Sequence, residues 1–302
     1  MFKTILLTGV NGQVGHALTK AFEHHQSGTE KMCLPKVVKL DRNALDLTDT
    51  EAIRRAVQTI KPDLIINPAA YTAVDKAETE PELAFAINAT APQVLAEEAA
   101  KLGAKLIHFS TDYVYDGAKS SAYVETDATN PLSVYGKSKL AGELAISTTG
   151  VQHLIFRTSW VYGAYGKNFF NTILRLAAER DSLRIVADQI GAPTNSTSIA
   201  EATLKAMNIW ATQSGVYHLV NAGETSWHGF ATAIVAEYQR LERTPVLKTT
   251  LDQIAPIATQ DYPTPAVRPA NSRLNCQKLA RDFSIELSAW QKALSIELQV
   301  LP

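Results

Sequence analysis

The sequence predicts an α/β protein: a doubly wound parallel sheet with a smaller, mixed α/β lobe attached. Three observations carry that prediction. Short, near-continuous apolar runs alternate with amphipathic stretches through the first half. A glycine-rich turn follows the first run, and the texture changes after about Trp160. Runs without polar alternation suit parallel strands covered on both faces, and helices between them supply the crossovers.

The strands are expected at 4–8, 36–41, 63–67, 104–110 and 153–159, with helices near 13–25, 50–60, 81–101 and 131–146 between them. After Trp160 come a helix near 168–180, a polar turn-rich segment at 188–194 and a helix near 198–210. A strand at 216–220 reads as a return to the sheet. From Ser226 onward follow a helix, a proline-rich ordered loop at 262–269 and two short helices. The division expected is a Rossmann-type dinucleotide domain at 1–160 and 196–222, and a substrate lobe at 161–195 and 223–302.

The 302 residues suffice for such an arrangement, and 46% hydrophobic residues with 20% charged allow a sizeable core. A net charge of −1 offers no field of one sign to recruit nucleic acid or an anionic membrane. No apolar stretch approaches the ~20 residues of a membrane span. The first residues lack a signal peptide's features and read as a strand, so a cytoplasmic location is expected. Cys33 and Cys276 sit in no metal-binding spacing and are two thiols or one disulfide. The seven histidines form no ligand spacing, and His24-His25 reads as a solvated helix end.

Gly9-Val10-Asn11-Gly12-Gln13-Val14-Gly15 follows the first strand and opens the first helix. Glycines there permit a tight turn and bring backbone close to a pyrophosphate, whose charge the helix N-terminus favours. Asp41 ends the second strand, where a carboxylate can accept from an adenosine ribose 2′-OH or serve simply as a turn residue. It favours NADH, whereas the adjacent Arg42 can pair with a 2′-phosphate and favours NADPH. The coenzyme is therefore NADPH or NADH. Small residues in Asn67-Pro68-Ala69-Ala70-Tyr71-Thr72 admit a flat ring or ribose to the backbone, or allow close strand–helix packing.

Ser110-Thr111-Asp112-Tyr113 ends the fourth strand, and Tyr135-Gly136-Lys137-Ser138-Lys139 opens a helix. The i,i+4 spacing puts Tyr135 and Lys139 on one helix face. A phenol with a pKa of ~10 is reluctant to ionise near neutrality, and a neighbouring ammonium is expected to lower that value. Tyr135 can then exchange a proton with a carbonyl oxygen as hydride reaches carbon. Lys139 can donate to nicotinamide-ribose hydroxyls, and Thr111 can fix the carbonyl oxygen. Trp160, just past the fifth strand, suits an apolar wall of the site or the core.

These motifs resemble the extended short-chain dehydrogenase/reductases, and within them the dTDP-4-dehydrorhamnose reductase family. The blocks are Thr72–Glu78, Ser110–Tyr115, Val134–Glu143, Arg157–Tyr162, Asp188–Thr194 and Arg268–Ser272, so the resemblance runs nearly end to end. It implies NAD(P)H-dependent reduction of the 4-keto group of a dTDP-linked 4-keto-6-deoxyhexose, dTDP-4-dehydro-L-rhamnose, to dTDP-L-rhamnose. It further implies Tyr135 as proton donor, Lys139 as its electrostatic partner and Thr111 as the hydroxyl that positions substrate. Asp112 and Trp160 are implied as substrate contacts, and Gly12, Gln13 and Val14 as the pyrophosphate turn. Asp41, Asp46 and Leu47 are implied as adenosine contacts, with Ala70, Tyr71 and Thr72 as the turn after the third strand. Some relatives hold Mg2+ at a dimer contact through an acid early in the first helix. Gly15-His16-Ala17-Leu18 has none here, so no such metal is expected, and a homodimer is left open. Two alternatives stand beside this reading: a related sugar-nucleotide dehydratase or epimerase, and a non-catalytic regulatory subunit. A dehydratase expects glutamate where Tyr113 follows Thr111-Asp112, and an intact Thr111/Tyr135/Lys139 set argues against a non-catalytic role.

Overall fold

A computed structural model describes residues 2–27 and 35–301. Six strands form one parallel sheet: β1 (Thr4–Leu7), β2 (Lys36–Lys39), β3 (Leu64–Asn67), β4 (Lys105–Thr111), β5 (His153–Thr158) and β6 (Gly215–His218). Each lies within two residues of its expected bounds. Their order across the sheet is β2-β1-β3-β4-β5-β6, so its direction of growth reverses between β1 and β3. Ligands of open α/β sheets bind beyond the carboxyl ends of the strands at such a reversal.

Strand periodicity divides the core in two. Ile5, Leu7, Ile66, Ile107 and Phe156 point to one face, where they meet α1 (Gln13–Ser27) and α6 (Ser196–Ile209). Leu6, Ile65, Leu106 and Ile155 point to the other, against α2 (Thr50–Ile60), α3 (Ala91–Leu102) and the end of α4 (Val134–Thr148). A third cluster is built from α5 (Phe169–Glu179), α7 (Trp227–Arg240) and α9 (Trp290–Gln299). It packs with two parallel strands, Leu183–Val186 and Ile254–Ile257. A further short helix, α8 (Gln277–Phe283), adds Leu279 and Phe283 to the first face.

One helix departs from expectation. The segment read as continuous over 81–101 is Pro81–Phe85, a π-turn at Ala86–Thr90, and then α3. Pro92 has no N–H to continue the ladder, and Asn88 turns inward. Its Oδ1 accepts from the Tyr71 backbone N–H at 2.8 Å, and its Nδ2 donates to the Tyr71 carbonyl and to Ser138 Oγ, both at 3.0 Å. A polar side chain thus ties the loop after β3 to α4. Cys33 lies outside the described residues, and Cys276 is a half-buried free thiol. No described helix is long and apolar enough to cross a membrane.

Candidate active site

The turn between β1 and α1 closes around its glycines. Gly9 has φ of 57°, and a Cβ there would come within 2.7 Å of Ala69 Cα. Gly12 N–H donates to the Gly9 carbonyl at 2.9 Å. A Cβ on Gly15 would lie 2.1 Å from that same carbonyl. Gly9, Gly12, Gln13 and Val14 therefore border the cleft beyond the sheet, whereas Gly15 does not. Its missing side chain lets α1 pack against the turn. The first turn of α1 carries no acid, so the positive end of the helix faces the cleft without a competing carboxylate.

The cleft holds about 720 Å³. Asp41, Arg42, Asp46 and Leu47 border one end; Ala70, Tyr71 and Thr72 border its side; Thr111, Asp112, Tyr135, Lys139 and Trp160 border the other end. Asp41 serves its own turn as well. One oxygen accepts from the N–H groups of Asn43 (3.0 Å) and Ala44 (2.9 Å), the other from Asn11 Nδ2 at 3.3 Å. These bonds, that from Ala44 foremost, hold its carboxyl below the usual range. Asp46 likewise binds the Thr48 N–H and hydroxyl.

Ser133 caps α4 by accepting from Gly136 N–H at 3.1 Å. Gly136 lets the helix start against the end of β4, since a Cβ there would meet the Tyr113 carbonyl at 2.2 Å. Tyr135 then stands edge-on to Tyr113, with ring centroids 5.5 Å apart. Thr111 Oγ1 donates to Asp112 Oδ1 at 3.0 Å, and that hydroxyl is hydrogen-bonded to Tyr135 as well. Burial pushes the Asp112 carboxyl up to about 6, against hydrogen bonds from Ser272 and Thr111. Its buried Oδ2 and the Ser110 hydroxyl have no partner among the described residues. Buried polar atoms without partners beside a cleft suit a polar ligand.

The electrostatic expectation for Tyr135 is not met here. Burial pushes its phenol up to about 12, opposed only by the hydrogen bond with Thr111, while the charge of Asp112 adds to the rise. Lys139 does not offset it, because its Nζ donates to the Phe109 carbonyl at 2.7 Å and lies 3.1 Å from His108 Nε2. Burial lowers the lysine to about 8.

Trp160 adopts a left-handed conformation, φ 47°, and stacks on Trp227 with centroids 3.6 Å apart. Gly191 explains part of the 188–194 block: a Cβ there would strike the Trp160 ring at 2.6 Å. Two other blocks meet across the molecule, since Arg268 Nη2 pairs with Asp75 Oδ2 at 2.8 Å. Trp227 and His108 escaped the sequence reading, and Asn67 entered it only as the first residue of the segment after the third strand. Trp227 stands in the lobe where no role was legible, and His108 alternates along a strand as any core residue would. Among the described residues no group of three or more His, Cys, Asp or Glu is arranged to hold a metal.

A family model described as RmlD substrate binding domain matches residues 3–301. The dTDP-4-dehydrorhamnose reductase of Burkholderia thailandensis is 47% identical, the match covering 97% of each chain. The chain belongs to the dTDP-4-dehydrorhamnose reductase family. Its Escherichia coli K12 member is 44% identical over 95% of this chain and 94% of that one. The member from Bacillus anthracis, solved in complex with NADP, superposes with a TM-score of 0.88, is 33% identical and covers 99% of each chain. The family thus covers both the sheet and the smaller lobe, and with them every residue bordering the cleft.

Proposed function

We propose that this chain reduces the 4-keto group of dTDP-4-dehydro-L-rhamnose to dTDP-L-rhamnose with NADPH or NADH. The observation that carries the reading is that one cleft gathers Thr111, Tyr135 and Lys139 with the Gly9–Val14 turn. The residues fit a nicotinamide dinucleotide. Gly12 leaves room at the helix N-terminus for a pyrophosphate, and Asp41 with Arg42 borders the end where an adenosine ribose belongs. When bound, the nicotinamide supplies a hydride to the carbonyl carbon.

This chain's own residues handle the oxygen and the proton. Tyr135, its phenol raised to about 12, stays protonated at neutral pH and can give its proton to the carbonyl oxygen. Thr111 turns its single hydroxyl proton from Asp112 to that oxygen and fixes it beside the phenol. The free Oδ2 of Asp112 accepts from a sugar hydroxyl, and Trp160 on Trp227 forms an apolar wall beside the reacting ring. Lys139 donates to the cofactor ribose, and its ammonium, on turning from Phe109 and His108 toward Tyr135, stabilises the phenolate that proton transfer leaves. The division of labour follows the chain: 1–160 and 196–222 hold the cofactor, 161–195 and 223–302 take the sugar nucleotide. A cytoplasmic location and a homodimer belong to the same reading.

Purified protein mixed with a dTDP-4-keto-6-deoxyhexose should consume NADPH or NADH, followed by loss of absorbance and by product analysis. Bound cofactor without turnover at any pH would return the chain to a regulatory role. Running both coenzymes side by side decides between Asp41 and Arg42.

A further inference from the structure

Lys139 is held by a buried chain of hydrogen-bonding groups that the proposed reaction has not yet used. His108 Nε2 lies 3.1 Å from Lys139 Nζ, and His108 Nδ1 lies 3.1 Å from Asn67 Nδ2. Thr8 Oγ1 in turn donates to Asn67 Oδ1 at 2.6 Å. All four side chains are buried, His108 and Asn67 completely. Glu143, one helical turn beyond Lys139, is engaged by Arg157 at 2.6 Å.

Donors and acceptors along such a chain must run in one direction. If Lys139 is an ammonium, His108 Nε2 must accept, the ring proton sits on Nδ1, and Asn67 turns its oxygen toward the ring. If Lys139 is a neutral amine, it gains a lone pair that can accept from Nε2–H, and the direction can reverse. Thr8 then donates to Asn67, Asn67 to Nδ1, and Nε2–H to the amine, which is how Asn67 stands here. The two states differ in one imidazole tautomer and one amide orientation.

We propose that His108 is a positioning residue for the reaction: it holds the Lys139 amine at the cleft and, through Asn67 and Thr8, ties the lysine's charge to the direction of this chain. The proposal rests on the assignment of Lys139 to the reaction. Burial keeps the His108 ring neutral, its pKa well below the usual value, with the charge of Lys139 acting in the same direction. Lys139, lowered by burial to about 8, is therefore the member that titrates. The other ionisable groups around it are Tyr135 and Glu143 on α4, Asp112 beyond β4, and Arg157 on β5. On the helices packed against α4, Asp75 pairs with Arg268, and Glu98 pairs with Arg54 and Lys101.

The test begins without turnover, by nitrogen NMR of the imidazoles in the cofactor-free protein. His108 should carry its proton on Nδ1 below the Lys139 pKa and on Nε2 above it; in Lys139→Met it should keep one tautomer throughout. A single tautomer across the wild-type titration would overturn the proposal, even if the protein proves to be an active reductase. Conversely, a protein that never reduces a 4-keto sugar loses the functional reading while this measurement still reports on the chain. In the active enzyme, His108→Leu removes an acceptor from the ammonium. The alkaline limb of kcat should then move to lower pH by roughly one unit, with KM changed less than twofold. His108→Gln, which keeps a carbonyl acceptor, should recover most of that shift. Asn67→Asp places a carboxylate behind the ring and should move the limb to higher pH, which keeps the question open to test if the leucine variant does not fold. An equal loss of turnover at every pH would reduce His108 to packing and overturn its role.

Discussion

Two buried cations flank the same helix and are treated in opposite ways. Arg157, on β5, meets Glu143 of α4 through two hydrogen bonds, at 3.0 and 2.6 Å, and adds the Tyr115 hydroxyl at 2.6 Å. Lys139, one turn earlier on α4, has a carbonyl and a neutral imidazole instead of a carboxylate. A planar guanidinium gripped by a carboxylate keeps its charge at any ordinary pH and fixes geometry. An ammonium buried without a counter-charge titrates near neutrality. The difference marks structure from chemistry: the arginine pair locks α4 to the sheet, and the lysine stays available to a ligand.

The comparison breaks most sharply beside Lys139. Tyr135→Phe should keep cofactor affinity and lose turnover by on the order of 10²–10⁴-fold, because only the transferable proton is gone. Near-normal turnover in a steady-state assay would assign the proton to another group. Next is the arginine pair. Glu143→Gln leaves a buried guanidinium without its counter-charge and should lower the unfolding free energy by about 3–5 kcal/mol, read from urea denaturation.

Lys139→Met should act in the reverse sense on stability while impairing turnover and cofactor binding. The folded-state lysine pKa lies below the unfolded one, so between about 8 and the ordinary lysine value of 10.5 the unfolded chain binds more protons. Stability from this group therefore rises with pH through that window. The methionine variant should be the more stable protein at neutral pH, by up to roughly 3 kcal/mol, and the gap should close at high pH. Unfolding curves at both pH values check this. Smallest is the pH effect on the unmodified enzyme. Reduction should be level below the Lys139 pKa of about 8 and fall, at most tenfold per unit, above it. A kcat profile flat to high pH would mean that the bound state keeps the lysine charged.

Some of this was legible in the residues. Parallel strands buried on both faces read as apolar runs, and the runs around Ile5, Ile65, Ile107 and Ile155 located the sheet to within a residue or two. The i,i+4 spacing of Tyr135 and Lys139 needed only helical geometry. Pro92 carried a signal for the π-turn, but only Asn88, bonded to Tyr71 and Ser138, explains why the helix bends there. Burial decided the electrostatics. A lysine four residues from a tyrosine promises a lowered phenol pKa, yet desolvation raised it and the ammonium turned toward Phe109 and His108. Nothing local in the sequence distinguishes His108 from an ordinary core position.

The sequence by itself determined the sheet, the glycine turn and the Thr111, Tyr135 and Lys139 set, because backbone periodicity and short-range spacing are properties of neighbouring residues. Only the tertiary structure decided that Gly191 makes room for Trp160 and that Lys139 answers to His108 and Asn67. Those outcomes depend on desolvation and on contacts between residues 31 and 41 positions apart, which no local pattern encodes.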